Sequence, residues 1–396
     1  MTRIVLAELS RVGAQVSLET EAAAALASTG LVELRPIGGG TWQVVPAGRV
    51  GAVSVGGVDI HVVPKIGISR LLFLLGYAHD PGFRPDDTPG QAEPDLWPAL
   101  AESLARQAER ALLQGVRQGY VTVDDSLAVV RGRVRIADQI ARRPGMLLPL
   151  EVRYDDYSRD IAENQILRTA VRLLAAVPRL APTLKARLKH LDARLEGVSV
   201  LRLRSPLPSW RVTRLNRAYV PAVRLAEIIL RHYSAEPGPG NVAVTSFVVN
   251  MAKVFEDFLF TAVKEALRSY PGATHSQYQV NLDESGHVPM KPDIVHLISS
   301  IPVAVFDAKY KLEDPKSGYP NADVYQMLAY CTALQLNCGW LVYAHGTGST
   351  ARAVRHSDIH IQPYPLDLTR RPDDILSQLD ILAMKAVPTS LALIQN

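Results

Sequence analysis

The chain has almost no cysteine: Cys331 and Cys338 are the only two among 396 residues. Two thiols cannot build a disulfide framework or a four-thiolate zinc site, which excludes disulfide scaffolds and structural zinc modules of that kind. No uncharged apolar run reaches the roughly 18 residues that a bilayer span needs. Met1 to Val12 is interrupted by Arg3, Glu8 and Arg11 where a signal peptide would stay apolar. A cytoplasmic protein with no membrane partner is therefore expected. G-x-x-x-x-G-K-[ST] is also missing, so this chain should not hydrolyse a nucleoside triphosphate through a P-loop. Gly38-Gly-Gly40 and Gly346-Thr-Gly348 lack the dinucleotide fingerprint and read as turns. His356 and His360 stand four apart, yet Ile359 and Ile361 read as a strand and no H-E-x-x-H occurs. No serine or cysteine has a recognisable base partner, and there is no internal repeat.

What the chain does contain is enough apolar sequence, 47%, to bury a real core, with 21% charged residues. At roughly 150 residues per domain, its length implies two or three domains. The net charge of +4 hides an uneven distribution: −3 over residues 1–95, +10 over 96–240 and −3 over 241–396. From Lys185 to Arg231 there are 11 basic residues against Asp192, Glu196 and Glu227. Such a block suits a polyanion or an acidic protein surface, and equally the solvated faces of amphipathic helices. Pro- and Gly-rich stretches at 80–95 and 235–241 coincide with the charge boundaries and read as linkers. Three segments are thus expected: 1–95, 96–240 and 241–396.

The first segment reads as β-rich. Val50–Val55 and Val58–Val63 are β-branched runs separated by Gly56-Gly57, the spacing of a tight hairpin, and a helix is expected over 68–77. The middle segment reads as mainly helical, over 96–117, 160–177, 182–195 and 211–233, with a strand pair at 120–123 and 127–134. In the last segment, apolar residues three and four apart predict a helix over 245–270. Strands follow at 276–282, 290–297 and 302–310, then a helix over 321–336 and a strand at 339–344. The order is α-β-β-β-α-β, so the fold class is multidomain α+β or α/β.

Chemistry is best placed at Pro292-Asp293 and Asp307-Ala-Lys309. Converging carboxylates can hold a divalent metal through oxygen, and a neighbouring lysine can orient or help deprotonate a water that attacks a phosphodiester. Strand alternation puts Asp307 and Lys309 on one face. If residues 299–302 are a hairpin turn, positions 293 and 307 are equidistant from its centre and come opposite one another. Other Pro-Asp dipeptides and the Asp314-Pro-Lys316 triplet fall in loops or carry a proline that a central strand rejects. Glu256, on the preceding helix, is a candidate further metal or water ligand. Asp323, Gln326 and Tyr330 form a polar stripe on the following helix that could border the site.

These residues, with blocks along nearly the whole chain, resemble the McrC family, the nuclease subunit of McrBC modification-dependent restriction systems. The resemblance rests on Val62-Val-Pro-Lys-Ile-Gly67 and Leu71-Leu-Phe-Leu-Leu-Gly-Tyr77 in the first segment. In the middle it rests on Gly115-Val-Arg-Gln-Gly-Tyr120, Arg131-Gly-Arg-Val134, and Tyr154 to Asp160 running on to Asn164-Gln-Ile-Leu167. At the end it rests on Asn250-Met-Ala-Lys-Val-Phe-Glu256, the two acidic motifs, and Asp323-Val-Tyr-Gln-Met-Leu-Ala-Tyr330. The resemblance implies a C-terminal PD-(D/E)xK restriction-endonuclease-like core with Asp293, Asp307 and Lys309 catalytic, Glu256, Gln326 and Tyr330 in support, and Mg²⁺ held by Asp293, Asp307 and Glu256. It further implies a GTP-hydrolysing AAA+ ring partner, McrB, whose separate domain recognises methylated cytosine in DNA. The McrC-like subunit would dock through its N-terminal part, stimulate GTP hydrolysis and cut DNA.

Two other readings stay open on sequence: a non-cleaving adaptor or GTPase activator, and a stand-alone nuclease. The basic middle segment is expected to lie along the DNA path, with Arg211, Arg214 and Arg217 touching phosphate; a protein interface is the alternative.

Overall fold

The first segment folds as β1 (Thr2–Ala7), β2 (Ala14–Ser17), α1 (Thr20–Ser28), β3 (Val32–Gly38), β4 (Thr41–Pro46), β5 (Arg49–Val55), β6 (Val58–Val63) and α2 (Ile68–His79). The computed structural model describes residues 2–8, 10, 12–83, 95–203, 205–237, 243–310, 320–346 and 350–387. Most of the 80–95 linker, part of 235–241 and the Asp314 triplet lie outside the described residues. Gly56 and Gly57 take φ of 53° and 80°, and the turn they form sets Val55 opposite Val58. Strand β1 lies parallel to β6, while β2, β4 and β3 make a separate three-stranded sheet. Ile4, Leu26, Val44, Val53 and Ile60 form the core between them.

Residues 95–234 are a compact unit of their own. Its elements are α3 (Leu96–Ala111), β7 (Gly119–Leu127), β8 (Arg133–Val134), α4 (Ile136–Arg142), β9 (Leu150–Ser158), α5 (Ala162–Ala176), α6 (Pro182–Arg194) and α7 (Val220–His232). Leu100, Leu104, Ile166, Leu167, Leu188 and Val223 are buried among its longer helices. Two expectations fail here. The strands expected at 120–123 and 127–134 do not pair with each other: β7 and β8 both pair with β9. Gly132 marks the diversion: at φ 68° it packs so close to β9 that a Cβ would come 2.3 Å from the Arg153 carbonyl oxygen. The helix expected from Arg211 begins only at Val220, since Pro221 has no N–H and its ring excludes a preceding helical turn. Thr213 and Asn216 instead box in a single 3-10 turn. Arg211, Arg214 and Arg217 are therefore exposed in and around that turn, not aligned along one helix.

After β10 (Tyr233–Pro237), β11 (Ala243–Asn250) pairs antiparallel with β5, giving the sheet order β1-β6-β5-β11-β10. Residues 1–94 and 235–396 are consequently one unit, where two were expected. The helix expected from 245 starts at Met251 for the same reason. Phe247, Val248 and Val249 pair with β5 inside that sheet, and the Asn250 side chain then accepts from the backbone N–H groups of Ala252 and Lys253, opening α8 (Met251–Ala266). On α8, Phe258 meets Phe73 and Tyr77 of α2, each with ring centroids 5.5 Å apart.

Beyond α8 lie β12 (Ala273–Ser276), β13 (Val280–Asn281), β14 (Pro289–Met290), β15 (Ile294–Ile298), β16 (Ile301–Lys309), α9 (Asn321–Leu334), β17 (Cys338–Tyr343), β18 (Arg352–Ala353), β19 (His360–Pro365) and α10 (Pro372–Ala386). A six-stranded sheet runs β12-β15-β16-β17-β19-β18, and β13 and β14 form a small ribbon. Strands β16, β17 and β19 are parallel, so α9 serves as the crossover between the first two. Val295, Val305, Met327, Leu341 and Ile361 pack as the core beneath α9. Among the described residues, no helix is long and apolar enough to cross a membrane.

The β5–β11 junction depends on Gly51, where a Cβ would come 1.9 Å from the Phe247 carbonyl oxygen. Gly51→Val should cost on the order of 3 kcal/mol through forced separation of the two strands. Chemical denaturation would measure it; an unchanged midpoint would mean that the junction tolerates a side chain.

Candidate active site

The hairpin that carries the acidic motifs turns at Ser299 and Ser300, both in the left-handed region at φ of 50° and 67°. Next to the turn, Ile298 pairs with Ile301; after an irregularity at His296/Leu297 the register becomes Ile294 opposite Phe306. Asp293, one residue before β15, therefore comes level with Asp307. The Asp293 Oδ2 accepts a hydrogen bond from the Ala308 backbone N–H at 2.9 Å. Alternation along β16 turns Asp307 and Lys309 to the same face, where they form an ion pair with Lys309 Nζ against Asp307 Oδ2. Both are largely enclosed: their side chains are 3% and 12% exposed, respectively.

The following helix closes one side. Lys309 Nζ donates to Gln326 Oε1 at 2.8 Å, and Gln326 Nε2 donates to the Tyr330 hydroxyl at 2.6 Å. Asp323, buried one turn earlier, lies 4.0 Å from Lys309 Nζ and accepts from the Tyr343 hydroxyl at 3.2 Å. On the other side, the Gln277 amide donates to Asp293 Oδ1 at 3.0 Å and to Glu256 Oε1 at 2.6 Å. Glu256 is also paired with Lys253 at 3.0 Å.

The structure thus joins Asp293, Asp307, Lys309, Gln326 and Tyr330 directly, and joins Glu256 to them through Gln277. Arg211, Arg214 and Arg217 belong to the other unit and are no part of this cluster. Gln277 carried no sequence signal, because a glutamine at the edge of a strand-like run is unremarkable. Its position comes from φ of 50° at Gln277 and from its backbone N–H, which bonds the Asp293 carbonyl at 2.8 Å.

Burial and the neighbouring Asp307 charge push the Asp293 carboxyl up to about 6, against the pull of the Ala308 N–H and Lys309. Burial also raises Asp307, with Lys309 opposing. Burial and the two carboxylates push the Tyr330 hydroxyl up to about 12, so it stays protonated. Two enclosed carboxylates facing each other form a site with unmet demand for positive charge. The Asp307 Oδ2, although ion-paired, receives no well-formed hydrogen bond. Among the described residues, no group of three or more His, Cys, Asp or Glu side chains converges to hold a metal unaided. A small hard cation that takes one or two carboxylates and fills its remaining positions with water and phosphate oxygen fits what is present. Asp293 and Asp307 would be its ligands, with Glu256 reached across the Gln277 amide.

A family described as "McrBC 5-methylcytosine restriction system component" matches residues 45–344. The chain belongs to this family. Among solved structures, a chain of the Thermococcus gammatolerans assembly described as McrB AAA+ hexamers with bound McrC is similar at 17% identity and a TM-score of 0.60. The likeness covers 96% of this chain and 99% of that one. A chain of the McrBC complex from the same organism matches at 18% identity and a TM-score of 0.42, over 67% of this chain and 88% of that one. No curated protein matches. The first likeness establishes a shared fold for this McrBC family member.

The raised Asp293 has a consequence for stability. Between the ordinary value of 3.8 and about 6 the folded protein holds a proton that the unfolded chain has lost. Stability without metal therefore falls as pH rises through that window. In chelator, Asp293→Asn should flatten the fall, and melting curves at a series of pH values would reveal it. Parallel curves for the two proteins would refute the assignment.

Proposed function

We propose that this chain is the McrC-type subunit of a McrBC restriction system, a Mg²⁺-dependent DNA endonuclease with a PD-(D/E)xK core that also stimulates a GTP-hydrolysing AAA+ partner ring. The observation that carries the nuclease reading is the convergence of Asp293, Asp307 and Lys309 at one edge of β15 and β16, with Gln326 bonded to the lysine. The ring partner is supported by the family match and by the similar fold found in the assembly of McrB hexamers with bound McrC. It is also in keeping with the lack of a P-loop in the sequence.

Asp293 and Asp307 would hold the divalent cation, which would supply a Lewis acid and lower the pKa of a bound water. The protein's own groups do the rest. Asp293 is steadied by the Ala308 N–H and the Gln277 amide, so its carboxylate is presented at a fixed angle. Lys309 is held between Asp307 and Gln326, within reach of a water or a scissile phosphate, and can orient the nucleophile or offset charge that develops on phosphate oxygen. Gln326 bonds to Lys309 at one end and Tyr330 at the other, which restrains the lysine rotamer. Glu256 can accept a hydrogen bond from a water on the far side of Gln277. Metal binding would also relieve the repulsion between the aspartates, tying metal occupancy to their deprotonation.

Asp307→Asn should lower Mg²⁺-dependent cleavage of methylated DNA, with ring and GTP present, by at least about 10³-fold, while GTPase stimulation remains; a loss of that size is expected when a metal ligand or its charge is removed. Cleavage at the parent rate would overturn the site. Loss of cleavage and of GTPase stimulation together would point to misfolding, which a melting curve would identify. The basic middle unit is proposed to hold the DNA backbone. Combined replacement of Arg211, Arg214 and Arg217 by alanine should reduce the dependence of log K on log salt by roughly 0.9 for each phosphate that is no longer neutralised, without changing sequence preference. An unaltered slope would assign these arginines elsewhere.

A further inference from the structure

Glu8, at the end of β1, is a carboxylate only 3% exposed. Its Oε2 accepts from the Lys65 backbone N–H at 3.2 Å and from the Tyr310 hydroxyl at 3.0 Å. Tyr310 immediately follows Lys309, and the alternation of the strand sends the two side chains to opposite sides. The Tyr310 ring lies 6.0 Å from that of Phe255, the residue before Glu256. One buried carboxylate from the first segment thus grips the residue next to the active-site lysine. The sequence block Val62–Gly67 acquires a purpose in the same arrangement. Gly67, at φ 78°, donates its N–H to the Pro64 carbonyl at 3.1 Å, and the turn this closes includes Lys65, whose N–H bonds Glu8.

We infer that the Glu8–Tyr310 hydrogen bond, anchored by the Pro64–Gly67 turn, is a positioning device that fixes the end of β16 and thereby the placement of Lys309 for catalysis. The inference rests on the nuclease reading. Tyr310 acts through Lys309 and touches none of the reacting groups. The energetics favour a real clamp over an incidental touch. Enclosing a carboxylate is costly unless it receives hydrogen bonds, and burial does raise the Glu8 carboxyl above its usual range. Burial and the Glu8 charge raise the Tyr310 hydroxyl as well, which keeps its proton in place for donation. The clamp has a second hold on the strand end, because the Lys309 carbonyl accepts from the Ala344 N–H at 3.1 Å. A Lys309 displaced by about 1 Å would lose its 2.8 Å bond to Gln326, and misplacement of about that size reduces rates steeply.

The test uses the full chain with its ring partner, GTP, Mg²⁺ and methylated DNA. Tyr310→Phe removes the hydroxyl and keeps the ring. It should lower kcat for cleavage about tenfold, leave KM for DNA unchanged, and speed amide exchange at Ala344 several-fold. Glu8→Gln keeps an oxygen that can accept both bonds and should restore near-parent cleavage and exchange, whereas Glu8→Leu should behave like Tyr310→Phe. Parent kcat and parent exchange in Tyr310→Phe would overturn the inference. So would a rise in KM with kcat unchanged, which would place Tyr310 in DNA binding. Failure of the parent protein itself to cleave would count against the nuclease reading, and in that event exchange at Ala344 alone decides the clamp.

Discussion

Everything around the candidate site answers one electrostatic problem: two aspartates are enclosed at the mouth of a β-hairpin with their carboxyl groups facing each other. In a low-dielectric setting like charges in close proximity cannot both ionise cheaply, so the protein must supply positive charge, hydrogen-bond donors or a proton. It supplies a little of each. Lys309 comes from the same strand, the Ala308 N–H from the backbone between the motif residues, and the Gln277 amide from the preceding turn. The compensation is incomplete, as the upward displacement of both carboxyls records. A structural ion pair would be better satisfied than this. Under the nuclease reading, a divalent cation would complete the compensation.

The same constraint explains why the hairpin cannot stand alone. A two-stranded ribbon is marginal in water, and one with buried charge is worse. Here β17 and β19 extend it on one side in parallel register, and α9 crosses over to place Gln326 and Asp323 near the lysine. The first segment adds the second support. Its sheet accepts β11 as a strand, and Asn250 at the end of β11 caps the helix that bears Glu256. Through the packing of Phe73 and Tyr77 on Phe258, α2 fixes that helix from the opposite face. The first segment is therefore structurally inseparable from the segment that carries the acids, although more than 140 residues intervene in sequence between His79 and Ala235.

Much of the site was legible because it depends on local rules. The alternation of Asp307 and Lys309 and the helical spacing of Asp323, Gln326 and Tyr330 need only strand and helix periodicity, whereas the alignment of Asp293 with Asp307 also depends on the register shift at His296/Leu297. What escaped depends on partners distant in sequence. Residues 245–250 suit either helix or strand by composition, and the open edge of β5 decides between them. Gln277 and Glu8 are ordinary polar residues until the fold brings a carboxylate to the first and a tyrosine to the second. The stretch before Val220 shows the opposite error: helical spacing was present, and a single proline, Pro221, outweighed it.

The uneven charge acquires a physical rationale from this arrangement. Excess basic charge beside the aspartates would pull their carboxyls down and weaken the incentive for a cation to bind, since fixed positive charge and a metal compete for the same field. The segment with the acids is net −3, and its site holds a single lysine directly paired with them. Affinity for a polyanion, by contrast, grows with the number of cations offered and needs no exact placement. The arginines that the proposed function assigns to the DNA backbone are concentrated in residues 96–240, a separately folded unit. Under the nuclease reading, the charge distribution suits the division into two units: the one with the acids is acidic enough to favour a metal, and the other is basic enough to attract phosphate.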